Sequence, residues 1–206
     1  MIDMNLPNLL TLSRIPLMVI VVALLHPWDH VVIPWAWTIA LTLFLFGALT
    51  DWLDGWLARK LGQISDFGKF MDALVDKIFT MGTFVSLLAL QVIGLWALFP
   101  ILLILSREFL ITGLRLVAAA QGKTLAAERA GKVKTVMQIT SIFLFLAQGA
   151  LLHDLSKTKL LSFAEFWVKP IGQAAQISLI TACILTVYSG INYLVKYWTF
   201  FTGKEL

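Results

Sequence analysis

Four aspartates, Asp51, Asp54, Asp72 and Asp76, fall within 26 residues of a chain in which only 14% of residues are charged. The stretch reads Asp51-Trp52-Leu53-Asp54-Gly55-Trp56-Leu57-Ala58-Arg59, then eight residues, then Gly68-Lys69-Phe70-Met71-Asp72-Ala73-Leu74-Val75-Asp76. Hydrophobic sequence lies on both sides, and an ionised group inside a bilayer is costly and marks function. Asp51 and Asp54 are three apart and Asp72 and Asp76 four apart, so each pair shares one side of its helix. Four converging carboxylates repel one another unless neutralised, and two divalent ions cancel their formal charge. Ligation by carboxylates alone suits a hard cation, Mg²⁺ or Mn²⁺. Two such ions form the clamp that stabilises the attacking and leaving oxygens in a displacement at phosphorus.

The elements that must position these side chains are two antiparallel helices. The flanks, 32–58 and 70–90, are long enough to be membrane helices, and the polar run from Arg59 to Lys69 is the turn between them. Folding the hairpin about Gln63 sets Asp51 level with Asp76 and Asp54 level with Asp72. Gly55 and Ala58 lie on the stripe of the first pair, and Gly68 stands one turn before Asp72, so small residues leave room for a ligand beside the carboxylates. A solvated helix rim is the plainer alternative. It fits Asp66, in the turn, but not Asp51, which lies seven residues above Ala58, roughly 10 Å into the helix at 1.5 Å per residue.

The 206 residues are 59% hydrophobic with a mean hydropathy of +0.86, which is membrane-protein composition. We expect an all-α integral membrane protein forming a single domain over 1–206, with six transmembrane helices at about 9–26, 33–58, 70–90, 95–120, 133–152 and 173–197 and a short N-terminal interfacial segment. The net charge of +4 does not imply nucleic acid, because the basic residues are dispersed among apolar helices. Of the 16 Lys and Arg, only Lys157, Lys159 and Lys169 fall on the side opposite the aspartates, which places the hairpin and both termini in the cytoplasm. Trp28, Trp35, Trp37, Trp96 and Trp167 are expected at the outer interface and Trp52, Trp56 and Trp198 toward the inner one. The first hydrophobic segment is read as a retained helix. Cys183 is expected to be a small core residue, and His26, Asp29, His30 and His153 interfacial polar residues away from the aspartates.

Three further groups bear on chemistry. Asn8, Thr11 and Arg14 recur at three-residue steps along an otherwise apolar segment that Pro7 can open. Arg107 sits half way along the fourth helix, where an unpaired arginine costs about 2.5 to 3.5 kcal/mol, so it must face a partner or a wet cavity. Arg115, two turns on, points to a similar side, while Glu108 and Thr112 are spaced to hydrogen-bond to each other. In the fifth helix Lys134 and Gln138 share a face and Lys132 points elsewhere. With the two arginines, this lysine pair reads as a second, anion-binding site beside the aspartates. The segment from Leu155 to Val168 is expected to be a short amphipathic helix on the outer surface, ended before Pro170, and the sixth span to carry nothing catalytic.

The run Asp-x2-Asp-Gly-x2-Ala-Arg-x8-Gly-x3-Asp-x3-Asp resembles the signature of the CDP-alcohol phosphatidyltransferase family, filled at every position by Asp51, Asp54, Gly55, Ala58, Arg59, Gly68, Asp72 and Asp76. More narrowly, Asn8-x2-Thr11-x2-Arg14, Arg107-Glu108-x3-Thr112-x2-Arg115 and Gly131-Lys132-x-Lys134-Thr135-x2-Gln138 are similar to the pattern of the family's phosphatidylglycerophosphate synthases. Ala73 stands where many relatives have proline, at a position that is not a ligand. The resemblance covers about Asn5 to Gln138. It implies transfer of the phosphatidyl group from CDP-diacylglycerol to sn-glycerol 3-phosphate, giving phosphatidylglycerol phosphate and CMP.

In that scheme Asp51, Asp54, Asp72 and Asp76 hold two divalent cations, and Asp76 also takes the proton from the acceptor hydroxyl. Asn8, Thr11, Asp54, Gly55, Ala58, Arg59 and Gly68 bind CDP-diacylglycerol, and Arg107, Arg115, Lys132 and Lys134 bind the acceptor phosphate. The resemblance also implies a homodimer in the bacterial cytoplasmic membrane, its active site facing the cytoplasm. The competing readings are a sister enzyme of cardiolipin synthase or phosphatidylinositol phosphate synthase type, and a divalent-cation transporter, since intramembrane carboxylates also mark ion pathways.

Overall fold

A computed structural model describes residues 6–26, 33–61, 66–120, 122 and 129–198; within its helices, the side chains of residues 6–8, 51–61, 66–67, 69 and 129–130 lie outside the description. The described residues form six α-helices, α1 (Leu6–Leu25), α2 (Ala36–Leu61), α3 (Asp66–Ala89), α4 (Leu98–Ala120), α5 (Arg129–His153) and α6 (Leu161–Lys196), with short 3₁₀ turns at Leu95–Ala97 and Leu155–Lys157 and no strand among them. Residues 1–5, where the interfacial segment was expected, fall outside. This is an all-α membrane protein. Three stretches are long and apolar enough to cross a bilayer, Leu95–Ala120, Gly131–Lys157 and Leu161–Lys196, and Leu9–Leu25 and Ala36–Thr50 are shorter apolar helices. The N-terminal half of α3 carries Asp72, Asp76 and Lys77, which confine its apolar run to the other end.

Two packed groups hold the aspartate hairpin. α1 lies against both α2 and α3, while α5 runs along α6 and also meets α2. Phe44 of α2 stacks on Phe79 of α3 with ring centroids 5.3 Å apart. The Phe79 ring fits only because Gly47 has no side chain: a Cβ there would lie 2.5 Å from its Cζ. Gly47 and Phe79 are equidistant from Gln63 in the sequence, so their approach is compatible with a hairpin folded about that residue.

α6 owes its close packing to a stripe of small residues. Ala164, Gly172, Ala175, Ala182 and Ser189 are buried along one side, letting neighbouring backbones approach as helices do in membranes. Ser141 Oγ donates to the Ala175 carbonyl at 3.1 Å and Ser178 Oγ to the Met137 carbonyl at 3.0 Å, tying α5 to α6. This stripe corrects the expectation for residues 155–168. No separate surface helix ends before Pro170; α6 starts at Leu161 and runs through the proline. Pro170 forfeits one backbone hydrogen bond, but Ala164 and Gly172 stay in register across it, and their packing outweighs the local penalty.

Trp37 is buried at the start of α2, its ring stacked on His153 at 5.0 Å in the space left by Gly149. Cys183 packs against the core, half-buried, as expected. The turn after α3 closes with Gln91 in the left-handed region (φ 56°), the Gln91 and Val92 N–H groups donating to the carbonyls of Leu88 and Leu87, which satisfies two of the helix's last carbonyls.

At the start of α2 the residue that would cap the helix, Trp35, offers no side-chain acceptor and has φ 60°. Asp154, at the end of α5, takes over: its Oδ2 accepts from the Thr38 N–H at 2.7 Å and the Thr38 hydroxyl at 2.8 Å. A cap of this kind contributes about 1 to 2 kcal/mol. Asp154→Ala should therefore lower the unfolding temperature by several degrees while kcat stays unchanged, because Asp154 sits at the α2 terminus remote from Asp51; a thermal-shift assay with parallel kinetics checks both.

Candidate active site

Asp76 is the junction of the candidate site. It borders a cleft of about 660 Å³ formed by α3, α4, α5 and the end of α6, and a much smaller space near Arg14, Phe44, Gly47 and Phe79. One turn back on α3, Asp72 is exposed (side chain 53%), and its Oδ1 lies 3.7 Å from Nη1 of Arg14, a side chain only 1% exposed. Arg14 thus reaches from the apolar interior of α1 toward the aspartates. Thr11, one turn earlier on α1, is buried. The side chains of Asn8, Asp51, Asp54, Gly55, Ala58 and Arg59 lie outside the described residues, although positions 51–59 are helical. Gly68 is half-buried in the first turn of α3.

The large cleft collects the second group. Arg107 and Arg115 of α4 and Lys132 and Lys134 of α5 all border it, together with Asp76. The eight-residue spacing of the arginines puts both against α6: Arg107 Nη2 donates to Ser189 Oγ at 3.1 Å, and Arg115 Nε to the Tyr193 hydroxyl at 3.4 Å. The Arg115 guanidinium also lies over the Tyr193 ring, 5.3 Å from its centroid, a cation–π contact. Gly190 gives Arg107 its passage, since a Cβ there would sit 3.0 Å from Arg107 Cγ. Lys132 is exposed yet borders the same cleft as buried Lys134, so the two lysines serve one space, although helical spacing points them differently.

Glu108 does not pair with Thr112, as the spacing allowed. Both line the cleft, but the Glu108 carboxylate forms an ion pair with Lys134, and its Oε1 is 3.5 Å from Arg107 Nη1. The reason is electrostatic: two cations within reach of a buried carboxylate outcompete a neutral hydroxyl.

Two polar residues of the cleft, Lys77 and Tyr193, were not anticipated. Lys77 follows Asp76 and donates to the Ala73 carbonyl at 2.8 Å; its place after the last aspartate was its only signal. Tyr193 comes from a helix expected to carry nothing catalytic, and a tyrosine near the end of an apolar helix looks like any interfacial aromatic until arginines are seen beside it.

Chemically, the arrangement pairs carboxylates, suited to a hard cation, with a cationic basin suited to an anion, and Asp76 belongs to both. The donor set at Asp72 and Asp76, two carboxylates one turn apart, fits a divalent cation.

Comparison with known proteins places the chain in a family. The CDP-alcohol phosphatidyltransferase family model matches residues 4–203. The chain is similar to proteins named CDP-diacylglycerol–glycerol-3-phosphate 3-phosphatidyltransferase: 37% identical over 202 residues to that of Bacillus subtilis, covering 94% of this chain and 95% of the relative. To that of Pseudomonas fluorescens it is 33% identical over 199 residues (95% and 91% covered), and to that of Pectobacterium atrosepticum 34% over 193 residues (92% and 93%). The match reaches well past Gln138, taking in α6 with Ser189 and Tyr193. With the eight-position aspartate motif intact and the family's sequence pattern running through nearly all of it, the chain belongs to the CDP-alcohol phosphatidyltransferase family.

Proposed function

We propose that this enzyme transfers the phosphatidyl group of CDP-diacylglycerol to the primary hydroxyl of sn-glycerol 3-phosphate, releasing CMP. The observation that carries the acceptor choice is the cleft: Arg107, Arg115, Lys132 and Lys134 converge on one space of about 660 Å³ that Asp76 also borders. An anionic acceptor needs such a basin, and arginine's planar fork is shaped for phosphate oxygens. The names of the bacterial relatives point the same way.

Family members generally depend on divalent cations. Here Asp51, Asp54, Asp72 and Asp76 would hold two, Mg²⁺ or Mn²⁺, which when bound supply charge neutralisation for the donor pyrophosphate. The protein's own residues do the rest. Asn8, Thr11, Gly55, Ala58, Arg59 and Gly68 form the seat of the CDP-diacylglycerol headgroup, small residues admitting it and Arg59 balancing its charge. The cations of the cleft bind the acceptor phosphate and point the free hydroxyl at Asp76. Asp76 accepts that hydroxyl's proton as its oxygen attacks the lipid-side phosphorus and CMP departs. All six helices cross a bacterial cytoplasmic membrane as a homodimer, the aspartate end facing the cytoplasm.

The test is an acceptor panel: purified protein with CDP-diacylglycerol and, separately, glycerol 3-phosphate, inositol phosphate, inositol, serine and phosphatidylglycerol, with the lipid product identified by mass. Phosphatidylglycerol phosphate is the product expected. Turnover with inositol phosphate alone, or with phosphatidylglycerol alone, would assign the chain to a sister activity.

A further inference from the structure

Glu108 is out of place in a basin built for an anion. It is buried (7% exposed) and lines the cleft that holds five cationic side chains, Lys77, Arg107, Arg115, Lys132 and Lys134. A carboxylate there repels an incoming phosphate, and burying it is costly unless it is paired. Holding Lys134 accounts for part of its presence, through an ion pair that crosses from α4 to α5. It does not account for Glu108 lining the open space, where a hydrophobic residue would pack without opposing the ligand.

The geometry points to Glu108 as a specificity-determining residue that accepts a hydrogen bond from the non-reacting hydroxyl of a polyol monophosphate. The assignment rests on the proposed acceptor site and deepens it. A carboxylate has about four acceptor sites, and its contacts to Lys134 and Arg107 leave capacity for a donor in the cleft. Those two contacts set Glu108 beside two of the cations that grip the phosphate in the proposed site, within reach of a hydroxyl on the neighbouring carbon. Asp76, on α3, borders the same cleft, and in the proposed function it receives the reacting hydroxyl. An acceptor bound between them presents phosphate to the cations, its middle hydroxyl to Glu108 and its terminal hydroxyl to Asp76. A charge-assisted hydrogen bond of this kind distinguishes a ligand from its deoxy analogue by about tenfold to a hundredfold.

The experiment compares sn-glycerol 3-phosphate with 3-hydroxypropyl phosphate, which keeps the phosphate and the primary hydroxyl and lacks only the middle one, in the wild-type enzyme and in Glu108→Gln and Glu108→Asp. The wild type should prefer glycerol phosphate in kcat/KM by at least about tenfold. Glu108→Gln should bring the two acceptors to within about threefold of each other, chiefly through the KM for glycerol phosphate, and Glu108→Asp should restore part of the preference. A residue that only holds Lys134 would, when replaced, weaken both acceptors equally and leave the ratio at its wild-type value; that outcome overturns the assignment. So does a wild-type enzyme that uses both acceptors equally well, a result that needs no variant to fold. Failure of the wild type to use any phosphorylated acceptor would instead overturn the acceptor site itself.

Discussion

Asp76→Asn should abolish steady-state turnover, lowering kcat by about 10²- to 10⁴-fold, the range of a positioned general base, while most CDP-diacylglycerol binding survives. The separation follows from where Asp76 sits. It borders the cationic cleft and also a small space against Phe44 and Gly47 of α2, so it is the one aspartate of the described part of the motif that lines the cleft where an acceptor would bind. Asp51, Asp54 and Asp72 remain in the variant to hold the donor end. Asparagine has nearly the volume of aspartate, so packing beside Phe79 and Thr80 is kept. Donor binding by the detergent-solubilised protein, measured beside single-turnover CMP release, reads both quantities. Near-normal turnover in Asp76→Asn would remove the proton-accepting role, and loss of donor binding in step with turnover would make Asp76 chiefly a metal ligand.

Arg115→Ala should raise the KM for glycerol phosphate by about tenfold to a hundredfold, the worth of a charge-assisted contact, with the KM for CDP-diacylglycerol changed by less than about twofold. Arg115 is held by the Tyr193 hydroxyl and ring on the α4–α6 wall of the cleft, which the proposed function assigns to the acceptor phosphate. Lysine should not restore it fully, because an ammonium offers neither the fork nor the planar face that rests on Tyr193. Equal effects on the two KM values would place Arg115 at the donor.

The two helices that carry the aspartates were legible because their information is local and covalent: spacing fixes faces, a short polar run separates the two apolar stretches, and Phe44 and Gly47 of α2 do meet Phe79 of α3. The grouping of Arg107, Arg115 and Lys134 could be read because a cation inside an apolar helix must find company. What could not be read was the partner. Glu108 chose Lys134 over Thr112, and Tyr193 became the support of Arg115, because helices distant in sequence meet there. Pro170 misled for the same reason: a local rule ended a helix that a stripe of small residues on α6, packed along α5, kept whole. That Trp37 would be buried against a glycine more than a hundred residues away was equally out of reach of local rules.

The central claim, that a carboxylate-held donor and a cation-held acceptor meet at Asp76, is tested most directly by following CMP released from CDP-diacylglycerol with and without sn-glycerol 3-phosphate, each with Mg²⁺ or with chelator. Release that requires both the acceptor and the divalent cation, and matches phosphatidylglycerol phosphate formed mole for mole, is the result predicted here. CMP released at the same rate without acceptor, or cation flux through vesicles with no CMP at all, would contradict it.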